Sequence, residues 1–332
     1  MQLSRLQTLY TAAQSELSTG RVADVVRSLG AKVGNLAALE SRVKVNDSVV
    51  ATNTLLKARL ESVDLAVGGI RQAASDFRAT LVGAGGSAAP LGGLADRASG
   101  FLEILQSFGN TTFAGRYVLS GSDGNRAAIR DFLSAGSNAR MAVAASFSAA
   151  FNMAPGDFAS AAIPASDMKA WLDTEYPKLF DAHNWEKFWA GSSGPPVEAR
   201  IGEREVATIP SAVSDPALRK VVMASVLMLE FGDGAVGSAP FSQALATASS
   251  LLDEGVQGLI GFQAINGSMM SRLDSSIEAM SLQKQIYSTE ISQLVEADPV
   301  EVSLRIETLR SRLEASYATT ARLSRLSLVN YI

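Results

Sequence analysis

From Leu36 to Leu81 the chain repeats an apolar residue or an asparagine at steps of three and four, and no other feature narrows its fold so far. The seam runs through Leu36, Leu39, Val43, Asn46 and Val50. After a one-residue slip it continues through Asn53, Leu56, Leu60, Val63, Val67, Ile70, Ala74, Phe77 and Leu81. A mean spacing near 3.5 is the mark of a helix that packs on other helices along its whole length. It predicts one helix of more than 40 residues, or two nearly collinear ones.

Shorter seams stand at both ends. Leu3, Leu6, Tyr10, Ala13 and Leu17 alternate by three and four before Ser18-Thr19-Gly20 interrupts them. At the other end Asp298-Pro299 breaks a long helical stretch, since proline disfavours helix at the residue before it and suits a new first turn. The seam then resumes through Val302, Ile306, Leu309 and Leu313 and runs into an apolar tail with Tyr317, Leu323, Leu326, Leu328 and Tyr331. Neither terminal seam can bury itself alone, and chain ends are usually polar unless something ties them down. The economical solution packs the two ends against each other. The tail is apolar on more than one face, so further protein or a lipid surface has to cover it. Enclosure by other subunits accounts for both ends at once.

Between these ends the pattern changes. Gly83 to Pro90 is rich in glycine and marks a break. A helix from about Gly93 to Phe108 carries Leu94, Ala98, Phe101 and Leu105 on one side. Tyr117, Val118 and Leu119, followed by Ser-Gly-Ser-Asp-Gly, read as a strand and a turn. From about Asn125 to Lys220 the seams vanish, and this stretch holds all three tryptophans and the single histidine, His183. It reads as a mixed module inserted into a helical framework. Helical pattern returns over Leu218–Phe231 and from Phe241 to Glu296, where Leu273, Ile277, Met280, Lys284, Tyr287, Ile291 and Leu294 form another seam with Lys284 as its polar intrusion.

Composition supports long packed helices: 47% of residues are hydrophobic but only 7% aromatic, so aliphatic residues and alanine carry the apolar share. With 29 basic against 33 acidic residues there is no cationic excess to drive nucleic-acid binding. There is no cysteine, which excludes disulfides, thiolate metal sites and cysteine nucleophiles. A lone histidine cannot build the common zinc sites, and neither a phosphate loop nor a Gly-x-Ser-x-Gly elbow is present. The tryptophan cluster could stack a ligand, but tryptophans gathered in one module usually form its core. No catalytic, cofactor or metal residue is expected. The N-terminus lacks the continuous apolar stretch of a signal peptide or membrane anchor.

The residues "EADPVEVSLRIETLRSRLEASYATTARLSRLSLVNYI" resemble the C-terminus of the flagellin superfamily, in which an Asp-Pro break precedes a helix ending in a Leu-Ser-Leu-x-Asn-Tyr pattern. "AQSELSTGRVADVVRSLGAKVGN" is similar to the N-terminal helix and turn of the same superfamily. Within it, "STGRVADVVRSLGAK" and "FAGRYVLSGSDG" look more like the hook-associated protein 3, or hook–filament junction, family than like major filament flagellins. The stretch "WLDTEYPKLFDAHNWEKFWAGSSG" with "RIGEREV" resembles the insert of alphaproteobacterial members.

This resemblance implies a mainly α fold: a long antiparallel helical or coiled-coil bundle formed by both chain ends, with a β-hairpin and an inserted α+β outer domain. The expected division is 1–35 and 298–332 as the two halves of an inner helical domain, 36–124 and 221–297 as the halves of a rod, and 125–220 as the insert. It implies a structural protein exported without a cleaved signal peptide by the flagellar type III apparatus and found outside the cell. Its partners would be copies of itself in a ring, hook-associated protein 1, flagellin and an export chaperone, with neither nucleic acid nor membrane insertion. The expected subunit-interface residues are Leu3, Leu6, Tyr10, Leu17, Leu309, Leu313, Tyr317, Leu323, Leu326, Leu328 and Tyr331. A minor or divergent flagellin is the alternative. Against the family pattern the lead-in before Ser18-Thr19-Gly20 is short, so either the inner domain is reduced or part of it precedes this sequence.

Overall fold

A computed structural model describes residues 2–86, 93–134, 136–192, 196–210, 212–233 and 237–329. In chain order the helices are α1 (Gln2–Thr19), α2 (Val25–Leu29), α3 (Val33–Gly86), α4 (Leu94–Gly109), α5 (Asn138–Phe151), α6 (Ala165–Thr174), α7 (Ala182–Asn184), α8 (Pro216–Phe231), α9 (Ala239–Val295) and α10 (Pro299–Val329). Besides short 3₁₀ and π turns there are two antiparallel hairpins: β1 (Thr112–Phe113) with β2 (Arg116–Tyr117), and β3 (Val197–Arg200) with β4 (Val206–Ile209). The fold is therefore mainly α, with long helices from both chain ends and two small sheets. The chain forms two compact units, one of residues 1–50 and 278–332, the other Ala51–Ile277.

In the first unit, residues 33–50 of α3 and 278–295 of α9 run antiparallel. Asn46, the polar member of the seam, is buried and donates from Nδ2 to the Met280 carbonyl at 3.3 Å. Lys284, the intrusion in the α9 seam, is partly covered and reaches Asp47 Oδ1 at 2.6 Å. The seam departs from expectation at its slip: Val49 is the buried residue and Val50 only partly so. The three-residue step therefore falls one turn earlier, between Asn46 and Val49, a local change of winding that such seams tolerate.

The breaks at the two chain ends meet. Gly20, at φ 68°, turns the chain out of α1, a conformation that glycine adopts without a Cβ penalty. The Val22 N–H donates to the Val295 carbonyl at 2.9 Å, and the Ala297 N–H to the Gly20 carbonyl at 3.0 Å. Asp298 then caps α10 by accepting from the Val300 N–H at 2.8 Å, with Pro299 as the first helical residue.

The second unit holds the larger core. Here α3 buries Leu56, Leu60, Val63, Val67, Ile70, Ala74, Phe77 and Leu81, at the predicted spacing. The helix runs on to Gly86, past the expected break at Gly83; Ser87 to Pro90 of that loop lie outside the described residues. Leu94, Ala98, Phe101 and Leu105 of α4 are all buried, and Phe101 stacks on Phe77 with ring centroids 5.2 Å apart. The strand expected at Tyr117–Leu119 begins earlier. β1 and β2 close around Ala114 and Gly115, both at positive φ, as a two-residue loop of this handedness requires. The Val118 N–H adds one more cross-strand bond, to the Thr111 carbonyl at 3.0 Å, and the Val118 and Leu119 side chains enter the core.

The residues between 125 and 220 do not build a core apart from the framework. Phe132, Phe147, Trp171, Trp185 and Trp189 share one buried cluster with Ile70, Leu102, Leu227 and Leu252. Trp185 donates from Nε1 to the Val213 carbonyl at 2.8 Å and Trp189 to the Leu179 carbonyl at 3.0 Å, so both indoles are satisfied structural residues. The β3–β4 hairpin alternates as a half-buried strand should, with Ala207 and Ile209 inward and Val206 and Thr208 outward. Its inner face joins Leu56, Leu60, Met269 and Leu273 in a second cluster. Asn53 ties it down, donating from Nδ2 to the Ile201 carbonyl at 2.8 Å and the Ser276 hydroxyl at 3.2 Å.

Candidate assembly interface

The 1–50/278–332 unit contains the residues that the sequence nominates for subunit contact. α1 and α10 pack antiparallel: Gln7 Nε2 donates to the Tyr317 hydroxyl at 2.7 Å near one end, and Glu16 meets Arg305 near the other. Ala13, Ala297, Val302 and Leu309 form a small buried cluster, with Leu6, Tyr10, Val22 and Ile306 packed against it. Leu313 is also buried and Leu3 partly so.

Two nominated residues stand elsewhere. Leu17 is 45% exposed and Tyr317 is 47% exposed, so neither lies in the pairing seam of its own chain. The inward position after Ala13 is Glu16, a second step of three in succession, and its carboxylate is held there by the turn after α1 and by Arg305. The backbone of α10 carries Leu323, Leu326 and Leu328, whose side chains lie outside the described residues, as does Tyr331 altogether.

Glu16 is the residue that the sequence pattern missed. Its Oε1 accepts from the Ala23 N–H at 2.9 Å, and its Oε2 accepts from Arg305 Nη1 at 2.9 Å. Arg305 also reaches Glu301 at 2.8 Å, one turn back on α10. One carboxylate thus joins the end of α1, the turn after it and the first turns of α10. The available signal was the step of three from Ala13, which lands on a charged residue. Glu16→Gln keeps the shape and removes the charge. It is expected to lower the stability of this unit by about 1–2 kcal/mol, a charge-assisted bond discounted for the half-exposed Arg305. Protection of the 2–19 amides against hydrogen exchange checks this.

The same unit presents large apolar side chains to solvent. Val300 (75%) and Leu304 (70%) lie one turn apart on α10, as do Leu282 (59%) and Ile286 (49%) on α9. Residues four apart share a helix face, so these are stripes and not scattered single residues. Leu17 lies one residue beyond Glu16 and Leu304 one before Arg305, so the two are level along the paired helices.

The chemical candidates are otherwise structural. His183 is exposed on α7. Tyr176 is buried and donates its hydroxyl to the Met223 carbonyl at 2.7 Å; burial, with Glu230 nearby, holds its phenol well above the usual tyrosine range. Burial raises the Asp215 carboxyl, opposed by the Ala217 N–H that it accepts at the start of α8 and by Arg219. Among the described residues no group of three or more His, Asp or Glu could hold a metal ion, and no helix is long and apolar enough to cross a membrane. The Asn46 and Asn266 side chains, each within an Asn-x-Ser sequence, are buried.

Three comparisons bear on this architecture. No curated protein matches the chain in sequence. A solved structure described as a flagellar hook-associated protein from Vibrio parahaemolyticus has a similar fold, with a TM-score of 0.51 at 10% identity over 81% of this chain and 99% of that one. Residues 250–332, which take in most of α9 and all of α10, match the family model of the bacterial flagellin C-terminal helical region. The half of the interface that α1 packs against is therefore similar in sequence to the C-terminal helices of bacterial flagellin.

Proposed function

We propose that this chain is a structural subunit of the bacterial flagellum, not an enzyme, and that it forms the junction between hook and filament. The observation that carries the reading is the flagellin match over residues 250–332, because those residues supply α10 and the seam on which the N-terminal helix packs. The fold likeness to a hook-associated protein supports a place in the flagellum, and the junction position draws on the likeness of "STGRVADVVRSLGAK" and "FAGRYVLSGSDG" to the junction family.

In this reading the chain leaves the cell through the flagellar type III apparatus without a cleaved signal peptide, accompanied by a chaperone. It assembles as a ring of identical subunits between hook-associated protein 1 and the first flagellins. The exposed stripes at Val300/Leu304 and Leu282/Ile286, together with Leu17 and Tyr317, supply apolar area to neighbouring subunits. Ordering the chain ends costs conformational entropy, which burial against a neighbour offsets. A second reading, a minor flagellin within the filament, draws on the same match, since the family model is that of flagellin.

Electron microscopy of cells lacking the gene, with flagellin assayed in the medium, separates these readings. A junction predicts bare hooks and flagellin shed into the medium. Filaments of normal length would overturn the junction and leave the minor-flagellin reading.

A further inference from the structure

Past the β1–β2 hairpin, the loop from 118 to 124 brings two arginines together. Arg59, half-buried on α3, donates from Nη2 to the Gly121 carbonyl at 2.8 Å. Arg116, in β2, donates from Nη2 to the next carbonyl, that of Ser122, at 3.4 Å. Gly124 allows this: a Cβ there would stand 2.9 Å from Arg116 Nε and 3.1 Å from its Cβ. Burial and the neighbouring Arg116 charge draw the Arg59 pKa down.

Among the described residues no carboxylate answers this pair. Asp123, the single acid between 116 and 126, lies 4.0 Å from Arg126. On α3, Asp64 accepts from Gln263, and Glu61 lies one turn from Lys57, which pairs with Asp274 at 2.7 Å. Among the described residues neither Arg59 nor Arg116 makes an ion pair. Two like charges, one of them half-buried and both anchored on adjacent carbonyls, destabilise the chain by itself. Each planar fork has five N–H donors and gives one to the loop, leaving donors whose geometry suits bidentate capture of an oxyanion.

We propose that Arg59 and Arg116 form an oxyanion-binding site. The inference stands on these contacts and is independent of the flagellar reading.

Thermal melts of the full chain test it, with sulfate as the probe and chloride at matched ionic strength as the control. Saturating sulfate is expected to raise the wild-type Tm by roughly 2 °C more than chloride does. Arg116→Gln should lose that difference, yet melt at or above the wild-type temperature without sulfate, because one of two like charges is gone. Arg59→Gln should behave in the same way. An equal sulfate response in wild type and both variants, or variants that melt several degrees lower, would overturn the site. Sedimentation at low salt identifies the source of the anion. Self-association that weakens about tenfold in Arg116→Gln assigns it to a second copy of this chain, and a monomer throughout assigns it to a ligand from outside.

Discussion

Replacing Leu309 with aspartate is expected to separate the two chain ends while leaving the Ala51–Ile277 unit folded. Leu309 is 7% exposed and sits in the cluster that joins α1 to α10. Losing its burial costs about 2–3 kcal/mol, and a carboxylate cannot stay in that apolar setting without a partner. The seam must therefore open. α1 has 18 residues, and helices of that length are marginal in water without tertiary packing. Hydrogen exchange should show the amides of 2–19 and 299–322 losing protection together, with those of α4 and α8 unchanged. If the proposed function is right, the same variant fails to assemble. Retained protection at both ends would mean that the α1–α10 pair does not depend on its apolar seam.

Trp185→Ala should have the largest effect in the second unit. Its side chain is 2% exposed, its indole N–H bonds the Val213 carbonyl, and its ring lies nearly parallel to that of Trp189 at 6.4 Å. Truncation leaves a cavity and an unpaired carbonyl, at about 3–5 kcal/mol. Spread over a unit of this size, that lowers Tm by roughly 10 °C. Because Trp185 shares its cluster with Ile70, Leu102 and Leu252, the helices α3, α4 and α9 should melt in the same calorimetric transition. A variant in which only residues between 125 and 220 come apart would show that this segment folds on its own core.

Much of the helical architecture is legible in the sequence because its cause is local. A three-four step can be met only by a helix with one buried face, so the positions from Leu36 to Leu81 and from Leu273 to Leu294 locate the packed faces of α3 and α9 with a single slip misplaced. Gly20 and Asp298-Pro299 are likewise local: one needs a left-handed backbone and the other ends one helix and caps the next. The β-hairpin lies earlier than expected because its two-residue loop is Ala114-Gly115, which puts the short ladder at 112–117, while burial claims the Val118 and Leu119 side chains for the core. The periodicity that puts Leu17 on the α1 seam fails after Ala13, where Glu16 turns inward.

Tertiary structure decided which polar groups are buried and which charges meet. Glu16 is inward because the Ala23 N–H and an arginine 289 residues away both come to it. Arg59 and Arg116 stand together because one loop offers adjacent carbonyls to both. The aromatic residues of the tryptophan-bearing segment pack on one another and, in the same cluster, on Ile70, Leu102, Leu227 and Leu252 of the framework. Periodicity determines a helix and the side it hides; the groups that compensate a buried charge come from distant parts of the chain, and only the folded arrangement brings them into reach.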